Sequence, residues 1–389
     1  MNQHDYANKV TQLAAGGADK VTELVDLTIG AAVGLGASDI HLEAGSSSIM
    51  VRLRLDGVMH DFGELPRELA SNIVARCKVM AGLLSYRSDI PQEGGASGKT
   101  YAPGIELRIS TFPTLHGERV AIRIFDPTGR DLSLEQLGFP AHVYSAMIAA
   151  LSGTEGLVLL AGPCGAGKTT TLYAALRYIL QACDHGRSIV TVEDPVENEI
   201  AGVTQTSVRP AVGLTFARSL RSLLRQDPEV IMVGEVRDTE TAAITTEAAL
   251  TGHLVLSTVH AGRAAMVPHR LLDMGTQPYA LAGALRLVVA QRLVRLLCDK
   301  CKQPGPDNKN SCEPIGCADC HGTGYQGRGL LAESLPASSA LHEAIMAKAA
   351  RDTFAHIARE GGQDLEALAC QRVEQGMTSE VEVRRVLVN

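Results

Sequence analysis

The apolar positions change period along the chain, and each change marks a part of it. Val21, Leu24, Val25, Leu27 and Ile29 recur at helical spacing, so residues 1–36 are expected to be helical. From Ile40 the period drops to two: Ile40 and Leu42 alternate with His41 and Glu43, and Val51, Leu53 and Leu55 with Arg52, Arg54 and Asp56. That alternation predicts strands with one buried face, joined by turns at Gly45 to Ser48 and Asp56-Gly57. A helical stretch follows near Leu69 to Leu83. Next comes a hairpin turning near Leu115 and His116, with Leu107, Ile109, Val120, Ile122 and Ile124 on one face and Arg108, Arg119 and Arg123 on the other. Residues 37–126 therefore read as an α+β lobe, and the breaker-rich run from Asp126 to Asp131 places a linker at 127–132.

Past the linker the strands become unbroken apolar runs, Leu157 to Ala161, Ile189 to Val192, Val230 to Val233 and Leu254 to Ser257, separated by helical stretches. This is the pattern of a parallel sheet covered on both faces, filling a core at 133–297. Residues 298–328 are rich in Gly, Cys and Pro, and 329–389 read as a helical C-terminal region, helical from Ala337 onward.

Composition narrows the function classes. Six Phe, eight Tyr and no Trp disfavour a base-stacking platform, and a net charge of −7 disfavours broad capture of nucleic acid. The most apolar stretch, Leu281 to Leu297, carries Arg286, Arg292 and Arg295 and does not suit a membrane span. The N-terminus, with Asp5 and no apolar run behind a basic leader, does not read as a secretory signal, so a cytoplasmic location is expected.

The chemistry concentrates in two places. Gly162-Pro163-Cys164-Gly165-Ala166-Gly167-Lys168-Thr169 matches G-x-x-x-x-G-K-[ST] between a strand and a helical run starting near Thr170. Its backbone N–H groups suit phosphates, Lys168 the β/γ oxygens, and the Thr169 hydroxyl Mg²⁺, so ATP and Mg²⁺ are the expected cofactors. Carboxylates for the metal and for the attacking water are expected at strand ends, where Glu193 with Asp194, and Glu235, are placed. His253 and His260 bracket the fourth apolar strand and are expected at one sheet edge as phosphate sensors. The second place is Cys298-x2-Cys301 and Cys317-x2-Cys320, 15 residues apart, a four-thiolate Zn²⁺ spacing. Cys312, inside that loop, is left out of the ligand set, and Cys77, Cys183 and Cys370 read as small core residues.

Together these residues resemble the ATPases of type II secretion and type IV pilus assembly. The likeness runs from about Ala37 to Glu333 and is carried by Ala37-Ser38-Asp39-Ile40-His41, Pro91-Gln92-Glu93-Gly94, Arg108 through Arg123, Val192 through Glu197 as an aspartate box, Leu223 through Asp238 as a Walker B region, and Thr251 through Ala261 as a histidine box. The resemblance implies an α/β fold with a PAS-like N-terminal lobe, a RecA-like P-loop lobe, a tetracysteine zinc insert and a helical C-terminus. It implies a homo-hexamer, with ATP between lobes that rotate as it is turned over, working at a polytopic inner-membrane platform protein. It also implies that Glu193 polarises the attacking water, that Glu235 holds Mg²⁺, and that Arg108, Arg123, Arg221 and Arg225 face the phosphates. Many members carry an additional N-terminal domain for which the start of this chain leaves no room. In the family the tetracysteine insert accompanies assembly and secretion motors, which favours assembly of a type IV pilus, conjugative thin pilus or pseudopilus. The alternatives are a pilus retraction motor and a nucleic-acid translocase, the latter disfavoured by charge.

The hairpin register makes a further expectation. Residues 108 and 123 are equidistant from the turn, so Arg108 and Arg123 are expected directly opposite each other, their repulsion relieved either by Glu106 or Glu118 or, as the resemblance implies, by ATP phosphates held at Lys168.

Overall fold

The computed structural model describes residues 3–125, 132–182, 186–305 and 311–387. Most of the expected linker and Cys183 lie outside the described residues. The chain divides into two compact units, residues 1–130 and 131–389.

In the first unit, α1 (Gln3–Ala14) and α2 (Val21–Gly34) precede β1 (Asp39–Ala44), β2 (Ser48–Leu55) and β3 (Val58–Pro66). Helix α3 (Ala70–Met80) then leads to β4 (Gln92–Ser97), β5 (Glu106–Thr114) and β6 (Gly117–Phe125). The strands form one sheet in the order β3-β2-β1-β6-β5-β4. Period-two burial follows the sequence: Ile40, Leu42, Val51, Leu53, Leu107, Ile109, Val120 and Ile122 are buried with residues of all three helices in one core. Tyr6 anchors α1 in that core, its ring 4.7 Å from that of Phe62 and its hydroxyl 2.8 Å from Thr28 Oγ1. Burying such a side chain stabilises by about 2 kcal/mol or more, which places the N-terminal helices inside this unit.

The second unit opens with α4 (Ala141–Leu151), then β7 (Gly156–Ala161), α5 (Lys168–Ala182), β8 (Ile189–Glu193), β9 (Thr204–Ser207), α6 (Phe216–Leu223), β10 (Val230–Val233), α7 (Thr239–Leu250) and β11 (Leu254–Val259). It continues with α8 (Met266–Asp273), α9 (Pro278–Ala284), β12 (Leu285–Leu297), the short pair β13 (Gln303–Pro304) and β14 (Cys312–Glu313), β15 (Tyr325–Pro336) and helices α10 (Ser339–Met346), α11 (Arg351–Glu360), α12 (Leu365–Glu374) and α13 (Glu380–Leu387). Its sheet runs β15-β12-β7-β11-β10-β8-β9, parallel except for the antiparallel β12–β15 pair. Every residue of β7, β8, β10 and β11 is buried, because apolar clusters pack on both faces of the sheet. Two elements escape the sequence pattern. The Leu281 to Leu297 run divides into the end of α9 and a 13-residue strand, and the zinc-type cysteines sit in the connection between β12 and β15. Among the described residues no helix is long and apolar enough to cross a membrane.

Candidate functional site

The site grows from the parallel strands. In a parallel sheet all carboxyl ends lie at one edge, so the loops after β7, β8, β10 and β11 converge. Val259 of β11 is level with Ala161 of β7, and Val233 of β10 with Ser257 of β11. Gly162 leaves β7 at φ +154° and Gly167 enters α5 at φ +86°. A Cβ on Gly162 would stand 2.7 Å from the Gln291 carbonyl oxygen, so only glycine lets the loop lie flush on β12. The first turn of α5 has no intrahelical acceptors for its N–H groups, which therefore face the loop's concavity. Lys168 donates to the carbonyls of Gly162 at 2.7 Å and Pro163 at 3.0 Å, and burial lowers its pKa while the charge of Glu235 works against that.

Glu235, just beyond β10, is the hub of the acid–base cluster. Arg237 Nε donates to its Oε2 at 2.7 Å, and His260 Nε2 lies 2.8 Å from its Oε1. Arg237 also stands 3.8 Å from Asp194. Its guanidinium pKa is raised, first by the hydrogen bond to Glu235.

Glu193 has a different setting. It is 3 % exposed. Its Oε1 accepts from Thr191 at 2.6 Å and Gln205 at 3.0 Å, and its Oε2 from Tyr173 at 2.5 Å. The same Tyr173 oxygen accepts from the backbone N–H of Glu197 at 3.1 Å and of Asn198 at 3.4 Å. Burial, then the bond to Glu193, raises the Tyr173 pKa, keeping the hydroxyl protonated as a donor. Glu197 itself is exposed.

These features match a known family. The model of the family described as type II/IV secretion system protein matches residues 14–385. The chain is 40 % identical over 380 residues to the type II secretion system ATPase E of Vibrio cholerae, covering 94 % of this chain and 75 % of that protein. The chain belongs to that family. The type IV pilus assembly ATPase PilB of Thermus thermophilus is 38 % identical over 364 residues, covering 89 % of this chain and 41 % of that one. Among solved structures, the pilus retraction motor PilT with bound ADP superposes at TM-score 0.63 with 25 % identity, covering 92 % of this chain and 95 % of that one. The Legionella pneumophila ATPase DotB superposes at 0.68 with 23 % identity, over 92 % and 94 % of the two chains, and shows the common fold. This chain is a secretion ATPase with a mixed α/β fold, a cluster of four cysteines and a helical C-terminus.

Within this secretion ATPase the two histidines separate. His260 stands at the phosphate-loop edge, but His253 precedes β11 at the opposite edge, its Nδ1 2.9 Å from the Ala248 carbonyl oxygen and its own carbonyl accepting from Gly156. A six-residue strand lies between them, about 20 Å of chain, because both flank one parallel strand and only its carboxyl end meets the loop. The expectation of a shared edge is thus corrected. Arg221, on α6, pairs with Glu240 at 2.7 Å, and Arg225 is exposed just past that helix.

In the first unit Arg108 and Arg123 are directly opposed across β5 and β6, as the turn arithmetic requires. Their counter-ions differ from those expected. Arg108 pairs with Glu93 of β4, and Arg123 with Asp39 of β1 at 3.0 Å, an acid shared with Arg54 at 3.3 Å. Glu118 is already taken: the fully buried Lys78 holds it at 2.6 Å.

The four cysteine sulfurs Cys298, Cys301, Cys317 and Cys320 lie within 4.8 Å of one another. Neighbouring sulfurs are 3.7 to 3.9 Å apart, and Zn–S bonds near 2.3 Å give tetrahedral edges of about 3.8 Å, so the donor set fits Zn²⁺. Cys312 is outside the cluster and faces Gly376. Cys77 is fully buried, as expected, but Cys370 is exposed, because it follows Ala369 just off the Leu365, Leu368, Ala369, Val373 stripe of α12.

Sequence reading left several site residues unassigned: Tyr173, Gln205, Arg237, Gln291 and Arg292. The last two carried a usable signal, as adjacent polar residues in the middle of a mainly apolar strand.

Proposed function

We propose that this secretion ATPase works as a homo-hexamer on the cytoplasmic side of the inner membrane, driving assembly of a pilus or pseudopilus against a polytopic membrane platform. The observation that supports it most is the gathering of Lys168, Glu235, His260 and Arg237 where the loops after β7, β10 and β11 meet. The relatives named for type II secretion and for pilus assembly, and the four-cysteine cluster, favour assembly over retraction.

ATP phosphates suit the loop from Gly162 to Thr170, with Lys168 turning from its loop carbonyls to the anion. Thr169 and Glu235 would hold Mg²⁺; Glu235 Oε1 is buried and among the described residues has no hydrogen-bond donor of good geometry, which leaves it able to accept from metal-bound water. Magnesium, when bound, neutralises charge developing on the phosphoryl oxygens. His260, beside that same oxygen of Glu235, reports the γ-phosphate. The zinc-type cysteines fix the loop between β12 and β15.

Activating water needs a carboxylate that water can reach. Glu193 is buried and both its oxygens accept from donors, so it holds the aspartate box: through Tyr173 it fixes the backbone of Glu197, and the solvent-exposed Glu197 accepts the proton.

Phosphate release and binding of a fluorescent ATP analogue, measured on wild type, Lys168→Ala, Glu197→Gln and Glu193→Gln, test this. Lys168→Ala should be inactive with an unchanged circular dichroism spectrum. Glu197→Gln should bind nucleotide and lose at least about 100-fold in turnover, the scale of a missing general base. Full activity in Lys168→Ala would sink the nucleotide site. Normal turnover in Glu197→Gln beside a dead, well-folded Glu193→Gln would return the base to Glu193.

A further inference from the structure

Gln291 lies in the middle of β12 and is 1 % exposed. Its Nε2 donates to the Ala166 carbonyl at 2.7 Å, while its Oε1 is buried without a hydrogen-bond partner among the described residues. A buried, unpaired amide oxygen is destabilising, and a methionine of similar length would fill the same apolar strand position without one. The amide is therefore retained for what its donor does.

That donor acts on a peptide plane. In a trans peptide the C=O and the following N–H point in opposite directions. Holding the Ala166 oxygen outward onto β12 therefore turns the Gly167 N–H inward, to the concave side of the phosphate loop. The loop lies tight on the same residue: a Cβ on Gly167 would be 3.2 Å from Gln291 Nε2, and one on Gly162 would be 2.7 Å from the Gln291 oxygen. The next residue extends the clasp. Arg292 donates to the Gln291 carbonyl at 2.9 Å and to the Gly262 carbonyl at 2.8 Å, two residues past His260. The two neighbours on β12 thus grip both loops of the nucleotide edge from behind.

We propose that Gln291 is a positioning residue for nucleotide binding, aiming the Gly167 N–H at the β-phosphate through the Ala166 carbonyl. This rests on the phosphate-loop reading above. Gln291 touches no phosphate itself. Its effect is confined to ligands that reach the far end of the cradle, so ADP feels it and AMP, which lacks a β-phosphate, does not.

Affinities for ADP and AMP, kcat and KM for ATP, and the urea midpoint without nucleotide, measured on wild type, Gln291→Met and Gln291→Glu, form the test. Gln291→Met keeps the shape and removes the donor; its preference for ADP over AMP should fall about tenfold. Because the contact is made in ground and transition states alike, KM for ATP should rise by a similar factor while kcat changes less than about threefold. Gln291→Glu, whose carboxylate repels the Ala166 oxygen, should lose at least as much. An unchanged ADP-to-AMP ratio in Gln291→Met overturns the proposal, and so does equal weakening of both nucleotides with a lowered urea midpoint, which is the mark of a merely structural residue. Absence of ADP binding in the wild type would instead remove the phosphate-loop reading, and this proposal with it.

Discussion

Arg108 and Arg123 show what a single side chain's number can and cannot reveal. Their opposition follows from counting residues back from the turn, and β-pairing makes it inevitable. Their partners, Glu93 and Asp39, come from strands that neighbour the hairpin only after the sheet has formed, so no local rule reaches them. The repulsion between the two guanidinium groups is thus compensated within the resting unit. These pairs are exposed on the arginine side, and double replacement by alanine should lower stability by less than about 1 kcal/mol in urea unfolding. If the family assignment of both arginines to the phosphates holds, the same variant should lose turnover well beyond tenfold with ADP affinity nearly intact. Turnover within twofold of wild type would leave the pair as sheet electrostatics alone. The same contrast applies to Glu193 and Glu197: the motif identifies the segment, but the burial and pairing of Glu193 depend on Tyr173 and Gln205, at 20 and 12 residues' distance.

Among elements, the half-buried strands and the four fully buried ones were legible because their periods are unambiguous. Strand β12 was not. Thirteen mainly apolar residues without a clear period suit a helix as well as a strand, and only pairing with β7 and β15 decides between them. Its far end carries two testable features. Purified without chelator, the protein should contain about one Zn²⁺ per chain; Cys317→Ser should lose it and Cys312→Ser should keep it, by metal analysis. Closer in, the Glu382 carboxylate of α13 is buried and accepts from Arg295 of β12 at 2.7 Å and from Arg385 at 2.5 Å. Although burial alone would raise it, those hydrogen bonds bring its pKa down to about 2. A depressed carboxylate contributes stability that is fully present above the unfolded value near 4.3 and is lost as the pH falls toward 2. Glu382→Gln should therefore destabilise by about 3 kcal/mol at pH 7, and its deficit against wild type should shrink on acidification. An equal deficit at pH 7 and pH 3 would contradict the charge-based account.

At the scale of the molecule, the change from alternating to continuous apolar strands announced two sheets with different surroundings, and each has its own core. The first is built from α1 to α3 and one sheet face, the second from helices on both faces of a mainly parallel sheet. Two separate cores mean two cooperative units, and a single melting temperature would not describe this protein. Chemical denaturation should resolve two transitions. ADP at 100 times its dissociation constant should move only the transition of residues 131–389, by about 2.7 kcal/mol, leaving the other where it was. One sharp transition shifted as a whole would mean that the units unfold together. With two, a nucleotide-bound population whose N-terminal unit opened first would keep its nucleotide while a protease cut the open sheet.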